Sequence, residues 1–236
     1  SNLQMKETNM SSWMVEIFES INNNQAIAIT STNAKWLVAL QKIIMLQWPS
    51  KKVLLIWSES TSEQKREFHS QLSEVDVFMY SATLQAGISI DILHFQRLFV
   101  YATSHGPTPG ALHQMLARIR TLISKEIYIT FDNTTLNTDL DEWTYDDMVR
   151  HVTTSVRVAL DSRLMNDVGA VITGFAKDWS RVYADTPFFI GTVHNILESF
   201  NGERHYRKIF MRQALRKGYI ISSLRHTWAV NINEEA

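Results

Sequence analysis

No cysteine occurs in the 236-residue chain, so disulfides and thiolate metal sites are excluded. Its eight histidines show no metal-ligand spacing. No apolar run approaches the roughly 18–20 residues that a bilayer-spanning helix requires. The first residues, Ser1–Ser12, are polar and contain no apolar core of a secretory signal. A soluble protein inside the cell is expected, not secreted and with no membrane partner. No Gly-x-x-x-x-Gly-Lys-[Ser/Thr] stretch is present, which excludes a P-loop. Asp141-Glu142 has no apolar strand before it, so it does not read as an acidic magnesium motif. A self-contained nucleoside triphosphatase is therefore excluded. Charge of one sign is not in excess either, the formal net being −1. With 45% hydrophobic and 20% charged residues, the chain has ordinary globular composition.

What is present alternates in period. Trp13, Ile17, Phe18 and Ile21 recur at helical spacing until Asn22-Asn23-Asn24 stops them. Gln25–Thr30 then reads as a buried strand. Ser31-Thr32-Asn33 offers an N-cap to a helix through Trp36, Leu40 and Ile44. Further strands are predicted at Val53–Trp57, Asp76–Tyr80, Arg97–Tyr101 and Glu126–Phe131, with helices at Glu63–Leu72 and around Leu112–Leu122. Five apolar strands with little internal alternation, separated by helices, predict a parallel sheet covered on both faces. This is a doubly wound α/β lobe over residues 1–135, whose functional loops lie at the carboxyl edge. Asn133–Asp147 is a polar, acidic linker. Beyond it the helical period dominates, at Met148–Leu164, Val168–Trp179 and Val193–Phe200, with only a short apolar run at Tyr219–Ile221. Residues 136–236 are thus expected to form a mainly α-helical C-terminal domain.

The chemistry concentrates in residues 76–132. A strand leads into Ser81-Ala82-Thr83, then Gly87-Ile88-Ser89-Ile90-Asp91. A second strand and a loop rich in glycine and proline (Gly106–Gly110) lead to Gln114-Met115-Leu116-Ala117-Arg118-Ile119-Arg120. Hydroxyls at Ser81 and Thr83, with nearby backbone N–H groups, suit a phosphate cradle. Gly87 permits close backbone approach. Arg118 and Arg120 supply charge of the kind needed where negative charge develops on a transferring phosphoryl group. Two apart near a predicted helix, they do not share a face, whereas Gln114 and Arg118 at i,i+4 do. One arginine is free to reach phosphate while the other braces a loop or pairs with a carboxylate.

These segments resemble motifs V and VI of the second RecA-like lobe of superfamily-two helicases. The Gly-Ile-Ser-Ile-Asp form and the intervening LFVYATSHGP are most similar to the herpesvirus origin-binding-protein type of large DNA viruses. The resemblance covers residues 25–132. It implies an ATP-dependent helicase or translocase of DNA replication, with Arg118 and Arg120 catalytic, and Gln114, Gly87 and Asp91 at the nucleotide. ATP and Mg2+ would be held together with a missing N-terminal RecA-like lobe of the same polypeptide, and replication proteins would be partners. Ala117 departs from the motif, which usually carries glycine there. That departure favours a second reading, a non-catalytic interaction module with a degenerate lobe that binds a replication partner.

Single-stranded DNA is the expected polyanion. Ser31, Thr32, Ser81 and Thr83 are candidates for its backbone, although Ser31 and Thr32 serve equally as helix caps. Residues 203–228 hold seven bases and one acid, a net of +6. Arg204, Lys208, Arg212 and Arg216 recur at i+4 there, with Tyr206, Phe210, Tyr219 and Trp228 interleaved. Basic charge can track a backbone while aromatics stack bases, which adds Arg204, Lys208 and Arg212 as nucleic-acid contacts. A solvated helix face is the plainer account of the same stripe.

Overall fold

A computed structural model describes residues 3–84, 89–104, 106–132, 141–151 and 187–224. Two compact units divide the chain: Ser1–Leu136 together with Tyr206–Ala236, and Asn137–His205. In the first unit β1 (Gln4–Thr8), α1 (Met10–Asn22), β2 (Ile27–Ser31), α2 (Ala34–Gln47), β3 (Val53–Ile56) and α3 (Ser62–Gln71) come first. They are followed by β4 (Val77–Ser81), β5 (Arg97–Ala102), α4 (Pro109–Leu116) and β6 (Glu126–Phe131). Helix α5 (Pro187–Arg216) crosses the division, and β7 (Ile220–Leu224) ends the described fold.

The strands form one seven-stranded sheet in the order β3-β4-β2-β5-β6-β1-β7. Every pairing in it is parallel. The expected α/β class is thus the one observed, with two strands beyond the five anticipated. β1 is inserted between β6 and β7, with Gln4 opposite both Glu126 and Ile220. Its sequence, QMKET, holds one apolar residue and two charges, so it lacks a strand's pattern. Those charges are met by residues far along the chain. Lys6 pairs with Glu126, and Arg207 donates to both carboxylate oxygens of Glu7. β7 pairs with β1, so residues 206–224 belong to the sheet unit and not to a separate domain 136–236.

Period-two side chains separate two cores. Ala28, Phe78, Tyr80, Leu98, Val100, Ile127 and Ile129 face a layer with Phe68, Leu112, Leu116, Tyr206 and Phe210. Their alternates Ile27, Ile29, Val77, Met79, Phe99 and Tyr128 face Trp13, Ile17, Leu37, Leu40 and Ile44 of α1 and α2. Burial of both faces explains the near-continuous apolar strands. Caps set the helix starts. Asn9 accepts from Ser12 N and opens α1 three residues earlier than its apolar stripe suggests. Asn33 caps α2, and Thr61 with Gln64 forms a capping box on α3.

In the second unit, Met148 and Val193 are buried among Trp143, Tyr145, Val149, Leu197 and Phe200. The Asn201 amide holds the Trp143 backbone at both N–H (3.0 Å) and C=O (2.9 Å). The expected helical run 193–200 lies within α5. The run through Leu164 extends past the described residues at 151, and Val168–Trp179 lies outside them.

Trp13 is fully buried and donates from Nε1 to Tyr128 O at 3.1 Å. It also packs on Trp36 and Phe99. Trp13→Ala is expected to cost about 3–5 kcal/mol, the range for large aromatic truncations in cores. An unfolding free energy in urea within about 0.5 kcal/mol of the parent's, at equal m, would show that this core does not anchor α1.

Candidate nucleotide and strand site at the carboxyl edge

The parallel register carries the ends of β2, β4 and β5 to one edge, with Ser31 opposite both Ser81 and Tyr101. The loops leaving these ends are tied by short polar bonds. Ser31 Oγ accepts from Asn33 N at 2.9 Å, and Ser81 Oγ lies 3.0 Å from Thr83 Oγ1. Thr32 N donates to Tyr101 O, while Thr32 Oγ1 accepts from Thr103 N at 2.8 Å. A Cβ added at Gly106 would meet Thr32 O at 3.2 Å, so glycine lets the loop after β5 close on the loop after β2.

Burial divides the four expected strand contacts. Ser31 and Ser81 are 0% and 3% exposed, and their hydroxyls brace local turns instead of facing a ligand. Thr32 and Thr83 are half-buried at the surface. Thr103 and Ser104 join the same edge and are buried. Sequence reasoning missed them because a threonine and a serine after a strand carry no pattern of their own. Gly87 lies outside the described residues.

Motifs V and VI meet through the backbone. Ile90 and Ile119 form a parallel bridge, in which Ile90 N donates to Arg118 O (2.8 Å) and Arg120 N to Ile90 O (3.1 Å). Asp91 is held by Ser89 Oγ, 2.9 Å from each carboxylate oxygen, and it pairs with Arg120 Nε at 3.6 Å. That ion pair is mostly exposed, so it orients Arg120 more than it stabilises the fold. Arg118 is half-buried and Gln114 exposed.

The bridge also shortens the helix. α4 ends at Leu116, not near Leu122, because the chain must extend at Ile119 to pair with Ile90. Arg118 therefore sits in a turn, and the helical-face relation of Gln114, Arg118 and Arg120 does not apply. Ala117 has φ −68° and ψ −5°, an ordinary conformation for alanine. The Ala117 backbone is therefore unstrained without glycine.

The basic stripe is not one continuous face. His205, at φ −125° and ψ 29°, is non-helical inside α5, so the i+4 repeat breaks between Arg204 and Lys208. The Arg204 guanidinium covers the Phe200 ring, 4.1 Å from its centroid. Arg207 is taken by Glu7. Lys208, Arg212 and Arg216 remain exposed on one stretch of helix. The aromatics do not interleave with them as bases would require. Tyr206 and Phe210 are buried, Tyr219 is half-buried, and Trp228 lies outside the described residues.

A family model described as origin of replication binding protein matches residues 6–144. The chain belongs to the origin of replication binding protein family. A putative helicase/primase complex protein of African swine fever virus (isolate Warthog/Namibia/Wart80/1980) is 26% identical over 117 residues, covering 48% of this chain and 11% of that protein. The replication origin-binding protein of human herpesvirus 7 (strain JI) is 31% identical over 94 residues, 38% of this chain and 11% of its own length. This family member thus spans about a tenth of these curated relatives. Domain 2 of the DEAD-box helicase Mss116p, bound to an RNA duplex, aligns with 94% of this chain and 99% of that one, at 10% identity and a TM-score of 0.43.

Helix α4 is fixed from behind by the C-terminal part of α5. The His113 ring stacks on Phe210 at 4.2 Å, and its Nε2–H donates to Phe210 O. Burial pushes the His113 imidazole down from 6.5 to about 4. Unfolded chains take up this proton as pH falls through about 6.5, and the folded chain only near 4. Stability present above 6.5 is therefore lost as pH falls through that window. The loss should be on the order of 1 kcal/mol by pH 5. Urea midpoints at pH 7 and pH 5 should differ more in the parent than in His113→Gln, and equal differences would dissociate His113 from the effect.

Proposed function

We propose that this chain is the second motor lobe of an ATP-dependent DNA helicase or translocase acting in viral DNA replication. Its arginines would complete a nucleotide site across a cleft whose other wall belongs to a lobe with a P-loop. The observation that carries the reading is the Ile90–Ile119 bridge. It couples the loop that faces a strand to the segment that bears the arginines. A change at the nucleotide is then felt at the strand through two backbone hydrogen bonds.

The residues present fit a polyphosphate partner. Guanidinium groups stay charged at any working pH, and here Arg118 and Arg120 flank the bridged residue Ile119. Arg118, half-buried beside the bridge, is assigned to the phosphate, and Arg120, which pairs with Asp91, to bracing the loop. Gln114, exposed on α4, is assigned to the nucleotide with them. ATP with Mg2+ supplies the phosphoryl group whose developing charge such an arginine stabilises. Single-stranded DNA is assigned to Thr32 and Thr83, with Lys208 and Arg212 as more distant phosphate contacts. The relatives' names support replication proteins as partners. The site of action would be the cytoplasm or nucleus of the host cell. Among the described residues no helix is long and apolar enough to cross a membrane.

In a polypeptide joining this lobe to a P-loop lobe, Arg118→Ala should lower DNA-stimulated phosphate release at least ~10²-fold with the fold intact. Turnover equal to the parent's would remove Arg118 from the site. The 236-residue chain alone should release phosphate only at buffer background.

Replacing both Lys208 and Arg212 with alanine should make log K against log[salt] shallower by about 1.4, at roughly 0.7 per phosphate contact on a single strand. The change should be the same on every sequence. A parental slope in the folded double variant would leave these two side chains as solvated surface.

A further inference from the structure

We propose that Trp36, packed on the buried Tyr101, is a stacking platform for one base of a single strand whose backbone runs over Thr32. The proposal rests on reading the carboxyl edge as a strand surface, and it adds a base contact that the hydroxyls cannot supply. Tyr101 connects the two. Its carbonyl accepts the Thr32 N–H, and its ring lies 4.5 Å from that of Trp36. Trp36 occupies the first turn of α2, its N–H fixed by Asn33 Oδ1 at 3.1 Å.

The two neighbouring tryptophans are placed differently. Trp13 is closed at 0% exposure and backs Trp36 at 5.4 Å. Trp36 itself is only half-buried, so an aromatic surface stays open where the strand loops end. Contacts with Trp13 and Tyr101 hold the ring in place, so little side-chain freedom is lost when a base lands there. Lys35 precedes it on the exposed side of the same turn, placing a cation beside an aromatic as strand-tracking surfaces do.

With the phosphate at Thr32, whose N–H is held by Tyr101 O, the base turns toward Trp36.

The test uses this chain and fluorescence anisotropy on labelled strands of roughly 12 nucleotides, either oligothymidine or the same backbone without bases. The parent should bind oligothymidine about 5- to 100-fold more tightly than the abasic strand, the range that a stacked base contributes. Trp36→Leu should lose that preference while keeping the abasic affinity and the salt slope, and Trp36→Phe should retain most of it. Equal affinity of the parent for both strands, or an undiminished preference in Trp36→Leu, would overturn the platform and leave the strand surface standing. Absence of binding to either strand would overturn the strand surface itself, and the platform with it. Should Trp36→Leu fail to fold by circular dichroism, the parent's two affinities and the Trp36→Phe variant still decide the matter.

Discussion

Two backbone hydrogen bonds, between Ile90 and the residues on either side of Ile119, are the constraint on which the site depends. They require extended chain at Ile119, which ends α4 at Leu116 and places Arg118 in a turn. They also bring Asp91 within reach of Arg120. A helix continued to Leu122 would spread Arg118 and Arg120 around its surface and break the bridge. The site is thus a product of pairing between loops more than of helical spacing, and α4 serves as the support from which the pairing starts.

That support is built from distant sequence. His113 of α4 lies flat on Phe210, Tyr206 donates its hydroxyl to Pro107 O, and Phe131 meets Phe210 edge-on. Tyr80, under the same layer, donates to Met115 O. Residues 137–205 therefore interrupt a lobe that is completed only when the chain returns at Tyr206. The return is what packs the motif VI helix from behind, and β7 is what gives β1 a second neighbour. An insertion at this point leaves the helix that supports the arginines dependent on residues nearly one hundred positions away.

Much of the sheet was legible because its strands are covered on both faces. Val53–Ile56, Val77–Ser81 and Arg97–Ala102 are apolar runs of strand length, and their predicted bounds differ by a residue or so. β1 was not legible, since Lys6 and Glu7 read as loop until Glu126 and Arg207 neutralise them. The candidate site was half legible. The arginines, Asp91 and the hydroxyls carry a pattern, but spacing could not tell Ser31 and Ser81, which brace turns, from Thr32 and Thr83, which meet the surface. The basic stripe misled for a related reason: charge periodicity assumes an unbroken helix, and His205 breaks it.

By itself the sequence determined the α/β class, the absence of a P-loop and the segments that bear Asp91, Arg118 and Arg120. Each of these is local, written as a run, a period or a motif within a few residues. Tertiary structure alone decided which hydroxyls are exposed, where α4 stops and that Asp91 meets Arg120. It also set Trp36 against Tyr101 at the open edge. Those outcomes depend on parallel register and on charge pairs spanning up to 200 positions. Such contacts form only once the sheet has brought distant segments together, and no spacing rule along the chain encodes them.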